Sequence, residues 1–289
     1  PLLATPGREI PYNYTSFSDD DIIVRFLGEA IWKTLEALKA ERKTGRSARM
    51  LFEVLGDMWA VQRNPFLQED LLNDTKRRKL LFSALEHRIH EIERRSHGNA
   101  RVTQVVEAAK RVVRQFDGDL SDMAELRKKT VKVLGAYTSR RNIAFDPLSR
   151  VSHATDATDW RVENPFVVLY PDTEKEVIGL VEGCIKLGLT IIPRGGGTCY
   201  TGGAIPLTPM SAVINTEKLL RHSGVEMSAL PEVSELIPTI WCEAGVVTSR
   251  AMSAAEKEGL VFACDPTSSE ASCIGGNIAM NAGGKNAVL

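Results

Sequence analysis

The residues of this 289-residue chain with the clearest chemical potential lie in one run, Pro193-Arg194-Gly195-Gly196-Gly197-Thr198-Cys199-Tyr200-Thr201-Gly202-Gly203. Each of its glycines costs about 0.5–1 kcal/mol of backbone entropy relative to alanine, and one or two serve any common turn. Five glycines in residues 195–203 therefore point to a ligand that approaches the backbone closely. The competing reading is a glycine-rich connection that holds nothing. Successive N–H groups without side chains form a concave nest for an anion, and each hydrogen bond to a charged acceptor contributes about 1.5–3 kcal/mol. Thr198 and Thr201 add hydroxyls and Arg194 a positive charge, so a phosphate or pyrophosphate is the expected ligand. A second glycine-rich stretch follows, Ser272-Cys273-Ile274-Gly275-Gly276-Asn277 and then Asn281-Ala282-Gly283-Gly284.

Two common nucleotide fingerprints fail. A P-loop needs a lysine after its last glycine, and none follows Gly203; a Rossmann GxGxxG needs glycine where Tyr200 stands. Positioning the first run requires a strand, helix and strand before it. Phe166-Val167-Val168-Leu169-Tyr170 reads as a short strand closed by Pro171. Thr173 and Glu176 predict a capping box for a helix that ends at Gly188, and Thr190-Ile191-Ile192 is a second strand running straight into the glycines. Further strands are expected at 212–215 and 239–243, and a helix from Thr248 to Glu258 ended by Gly259.

Residues 1–150 differ in kind. They hold 27 basic and 21 acidic side chains, against 9 and 16 in 151–289, and all five cysteines follow residue 183. Apolar periodicity predicts amphipathic helices: one after Ser18 with Asp21 as capping-box acid, then 47–62, about 74–96 after the Asn64-Pro65 break, one capped by Asn99, and a fifth over 120–135. The basic run Lys76-Arg77-Arg78-Lys79 reads as a solvated helix face, given Glu86, Glu91 and Glu93 on the same helix, rather than as a nucleic-acid patch. His87, His90 and His97 lack an HExxH pattern or a neighbouring cysteine, so no metal site is expected. The fold class expected is α+β, with a helical N-terminal domain over 1–150 and an α/β domain over 151–289. No apolar run is long enough to span a bilayer, the start PLLATPGREIPYNYT lacks the pattern of a signal peptide, and no CxxC pair marks a zinc or iron–sulfur site. The cytoplasm, or a peripheral place at the inner membrane, is the expected location.

The paired loops PRGGGT and SCIGGN with NAGG resemble the flavin-binding domain of the vanillyl-alcohol oxidase and p-cresol methylhydroxylase superfamily, over residues 160–289. Within it the chain is most similar to the FAD-linked D-2-hydroxyacid dehydrogenases, the D-lactate and D-2-hydroxyglutarate group. SRVSHATDATDWR and DPTSSEASCIGGNIAMNAGGK narrow the likeness to the large bacterial FAD/FMN-containing dehydrogenases, in which an iron–sulfur region follows the flavin domain. The resemblance implies that Arg194, Gly195, Gly196, Gly197, Thr198, Cys199, Thr201, Gly202 and Gly203 cradle the FAD pyrophosphate. It implies that Pro266 and Thr267 lie along the ribityl and phosphate portion. Ser272, Cys273, Ile274, Gly275, Gly276 and Asn277 would pass beside the flavin, with Asn281, Gly283 and Gly284 behind and Pro171 near the adenine. Thr198 stands where some members attach FAD through histidine, so noncovalent FAD is expected. Cys199 replaces the usual glycine or serine, and Cys273 a common threonine, read as a small structural residue.

The activity implied is oxidation of a D-2-hydroxyacid by hydride transfer to flavin, with electrons passed on to a quinone, cytochrome or electron-transfer protein. The catalytic base, the substrate-binding residues and any iron–sulfur cluster are implied to lie in segments other than these residues. The ending Gly284-Lys285-Asn286-Ala287-Val288-Leu289 reads as a cut through the flavin domain, and this stretch alone is expected to bind FAD weakly and not to turn over. The alternatives are a nucleotide-binding module without redox chemistry and a helical scaffold or nucleic-acid contact.

Overall fold

A computed structural model describes residues 18–41, 45–158, 160–231 and 234–286. The leader expectation at the chain start and the end at 287–289 fall outside them. The fold is α+β. The chain divides into two compact units, one running to Thr130 with Asp146–Leu148, the other comprising Val131–Phe145 and the residues from Ser149 onward.

The first unit is helical: α1 (Asp19–Leu27), α2 (Glu29–Ala40), α3 (Gly45–Arg63), α4 (Pro65–Asn73), α5 (Thr75–Arg94) and α6 (Ala100–Leu134), whose last residues enter the second unit. The predicted caps form. Ser18 accepts from the Asp21 N–H while Asp21 accepts from Ser18, Asn64 accepts from Phe66 and Leu67, and Asn99 accepts from Arg101 and Val102. Two expectations are corrected. The single helix after Ser18 is two, because Gly28 takes a φ of 83° and breaks the ladder. The two helices over 99–135 are one, because Gly118 keeps helical geometry and costs only about 1 kcal/mol there. Leu55, Met58, Leu85, Ile89, Val106 and Val113 form the centre of one apolar core. Arg77 pairs with Asp70 and Asp74, and Arg78 with Asp117, so half of the basic run on α5 is neutralised within the unit.

The second unit is built on a four-stranded sheet ordered β1-β2-β4-β3, from β1 (Ile143–Ala144), β2 (Val167–Leu169), β3 (Thr190–Arg194) and β4 (Ser211–Asn215). β2 and β3 each pair parallel with β4, and β1 closes the far edge antiparallel. β4 is buried along its whole length, as a central parallel strand covered on both faces must be. Pro193, which lacks an N–H to donate, is confined to the edge strand β3. α7 (Pro147–Ser152) precedes β2, and α8 (Glu174–Leu187) links β2 to β3. The Thr173 cap forms, but Glu176 turns instead to the Asp172 N–H and the Thr138 hydroxyl. A two-stranded ribbon of β5 (His222–Ser228) and β6 (Ile237–Cys242) follows, then α9 (Thr248–Lys257) and α10 (Ile274–Ala279). β1, α7, β5 and α10 were not expected from the sequence.

Residues 131–145 join this unit through side chains that fit two glycines of α8. A Cβ at Gly179 would strike the Tyr137 ring, and one at Gly183 the Leu134 side chain. Buried Asn142 then ties the connection to the sheet. Its amide nitrogen donates to Thr138 (2.8 Å) and Asp172 (2.8 Å), and its carbonyl accepts from Lys218 (2.7 Å). Replacing Asn142 by alanine strands these partners, and the expected cost is about 2–3 kcal/mol. Urea denaturation followed by circular dichroism measures it; a loss below about 0.5 kcal/mol would show that water substitutes for the amide.

Candidate functional site

β3 and β4 end side by side, with Arg194 paired to Asn215, and ligands of parallel sheets collect outside the carboxyl ends of their strands. A cavity of about 710 Å³ opens there. It is lined by the first glycine run, by Thr216 just after β4, by Ala244 just after β6, and by the second glycine stretch.

Of the residues expected to meet a cofactor, Arg194, Gly195, Gly196, Gly197, Thr198, Cys199, Thr201 and Gly203 line the cavity from the first loop. Pro266, Thr267, Ser272, Cys273, Gly275, Gly276, Asn277, Gly283 and Gly284 line it from the second, while Pro171, Gly202, Ile274 and Asn281 do not. Sequence reasoning missed Tyr200, Thr216, Ala244 and Met280, which also line it. Thr216 and Ala244 follow directly on recognised strands, so the carboxyl-end rule was the signal available for them.

The glycines serve two purposes. Some let the loops touch one another: a Cβ at Gly196 would fall on the Ala271 carbonyl oxygen, one at Gly245 on the Thr216 carbonyl oxygen, and one at Gly275 within 2.7 Å of the Ala244 Cβ. Gly197 takes a φ of 66° with the Arg194 guanidinium stacked where its side chain would be. Gly276 differs, having open space around its Cβ position. Between the loops, Thr248 accepts from the Asn277 amide (2.7 Å) and shares a hydrogen bond with the Ser272 hydroxyl (2.8 Å), so both of those side chains brace the second loop against the start of α9. The Ile274 and Gly275 N–H groups donate to the Val246 and Ala244 carbonyls. By contrast, the main-chain N–H groups of residues 197–203 carry no hydrogen bond among the described residues.

Among the described residues Arg194 is the only formally charged one in the lining. Its guanidinium donates to the carbonyls of Thr155 (2.6 Å) and Ala204 (3.1 Å), and burial lowers its pKa against the opposing pull of Asp156. Arg194 thus holds the loop closed on itself. Burial alone would raise the Asp156 carboxyl, but hydrogen bonds from Thr158 and the Cys199 thiol and the charge of Arg194 hold it below its ordinary value. Burial pushes the Cys273 thiol up, only partly offset by the Gly196 N–H, so it stays a neutral thiol, the state of a structural cysteine. The acidic surplus of the C-terminal half is absent from the cavity wall. Among the described residues no carboxylate, imidazole or amine lines it, and the wall offers backbone amides, hydroxyls and one guanidinium for binding and positioning.

Residues 165–289 match the family described as FAD binding domain. Residues 5–118 match a family described as a protein of unknown function, DUF3683. The chain is 33% identical over 160 residues to the glycolate oxidase subunit GlcD of Bacillus subtilis, covering 55% of this chain and 31% of that protein. It is 34% identical over 128 residues to the D-lactate dehydrogenase of Archaeoglobus fulgidus, covering 44% and 26%. Against the D-2-hydroxyglutarate dehydrogenase of Xanthomonas citri it is 28% identical over 139 residues, covering 48% and 28%. The chain spans less than a third of the length of each of these relatives. Among the described residues no helix is long and apolar enough to cross a membrane.

Two substitutions separate the two kinds of glycine in these loops. Gly196→Ala forces the loops apart and is expected to cost about 1–3 kcal/mol, whereas Gly276→Ala meets open space and leaves the thermal midpoint within a few degrees. Circular dichroism melting of the two variants checks this; equal midpoints would contradict the loop contact.

Proposed function

We propose that the C-terminal part of this chain holds FAD noncovalently, with the dinucleotide pyrophosphate on the amide nest of residues 197–203, as part of an oxidoreductase that oxidises a 2-hydroxy carboxylic acid. The N–H groups of 197–203, unpaired among the described residues, in a loop of which all but Gly202 lines a cavity with no described carboxylate, carry this reading. A pyrophosphate needs such donors, and amides supply them where lysines are missing. Thr198 and Thr201 add hydroxyls at the same wall. Thr198 has no imidazole with which to form a covalent link to the flavin.

The substrate class rests on the three relatives, whose names share one group, a hydroxyl next to a carboxylate. Bound FAD supplies the acceptor for the hydride of that CH–OH carbon. The residues of this chain contribute by fixing the dinucleotide. The first loop holds the pyrophosphate, Arg194 locks that loop through Thr155 and Ala204, and the Ser272–Thr248–Asn277 bonds keep the second loop at its distance. No base or electron acceptor is assigned among these residues.

Equilibrium dialysis of the purified chain against FAD tests the reading. The expected result is saturable uptake approaching one FAD per chain, all of it released by acid precipitation. Absence of saturable uptake contradicts the site, and flavin retained on the precipitated protein contradicts the noncovalent mode. Uptake of ADP without FAD would favour a nucleotide-binding module instead.

A further inference from the structure

We propose that Tyr200 is the surface on which the isoalloxazine ring of the bound dinucleotide stacks. This rests on the FAD reading above and adds to it a residue and an orientation. Tyr200 lies in the middle of the amide nest and lines the cavity, yet its side chain is 79% exposed. Its neighbours, from Gly195 through Cys199 and from Thr201 to Ala204, are small and leave the ring uncovered. No hydrogen bond or ring contact engages Tyr200 among the described residues. Among the described residues the cavity wall holds no other aromatic side chain, and Met280 of the second loop is the one other long apolar side chain on it.

An aromatic ring left bare at a ligand cavity gains most from a planar partner. Ring stacking onto an aromatic side chain strengthens binding of a base by a factor of about ten or more. FAD offers two planar groups, adenine and isoalloxazine. Tyr200's exposure puts it at the open rim of the cavity, and the ring that must exchange a hydride with a substrate needs access to that rim. Adenine has no such need. The polarisable thioether of Met280 suits the face of an aromatic system as well.

The wild-type chain, Tyr200→Ala and Tyr200→Phe are each titrated with FAD, FMN and ADP, recording affinity and the emission of bound flavin. Tyr200→Ala is expected to weaken FAD and FMN about tenfold while leaving ADP within about twofold. Its bound flavin should be brighter, because a stacked phenol quenches flavin emission. Tyr200→Phe keeps the ring and should keep wild-type affinity. The assignment is overturned if Tyr200→Ala binds FAD with wild-type affinity and emission, or if it loses ADP as strongly as FMN, which would put adenine on the ring. A wild-type chain that takes up no FAD would overturn the cofactor reading itself. Wild-type uptake with an unaffected Tyr200→Ala overturns only the stacking role. Unchanged thermal midpoints of both variants are expected from so exposed a side chain.

Discussion

The site depends on the approach of one backbone to another. The first glycine loop can reach the second only because Gly196 brings no Cβ to the Ala271 carbonyl, and Gly195 brings none into the Cys273 side chain, which would lie 3.2 Å away. With the loops in contact, the cavity has two walls, and the N–H groups of residues 197–203 are turned to neither helix nor strand. Residues 197–203 are half-buried or exposed, so these donors are left open to a partner other than the fold itself.

Everything around the loops keeps them in that state. Arg194 commits its guanidinium to two carbonyls, and Asp156, kept ionised, takes hydrogen bonds from Thr158 and Cys199. On the other side, Thr248 gathers Ser272 and Asn277, and the N–H groups of Ile274 and Gly275 are spent on carbonyls. The first loop is thus stiff but unsatisfied and the second stiff and satisfied. That asymmetry is what the proposed anion site on the first loop rests on, with the second loop giving shape. Under that proposal the acidic surplus of the C-terminal half is no obstacle, because no described carboxylate lines the wall and main-chain dipoles would stand in for lysine.

Much of this was legible in the residues. Helix caps at Ser18, Asn64, Asn99 and Thr173 are local hydrogen-bond chemistry and could be read directly, as could the strand that runs into the glycines. Gly28 and Gly118 show the limit. Both interrupt an apolar helical pattern, and only the backbone geometry, φ of 83° at one and helical at the other, tells a break from a passenger. The double use of the glycines was also hidden. Sequence indicates that a Cβ is missing but not whether a carbonyl, as at Gly196, or open space, as at Gly276, lies beyond it. Arg194 looked like a ligand for phosphate because charge is visible in sequence, while the carbonyls that claim it come from Thr155 and Ala204, one of them far along the chain. Tyr200 was read only as a residue that breaks a fingerprint, and that it lines the cavity with its ring exposed is visible only in the structure.

The central claim is that main-chain amides of the first loop hold the dinucleotide phosphates. Hydrogen–deuterium exchange of the chain with and without saturating FAD tests it most directly. Protection concentrated in the peptide covering residues 197–203, with smaller change in the already bonded 272–277 stretch, is the predicted result. FAD bound at full occupancy with unchanged exchange across 197–203 would contradict it.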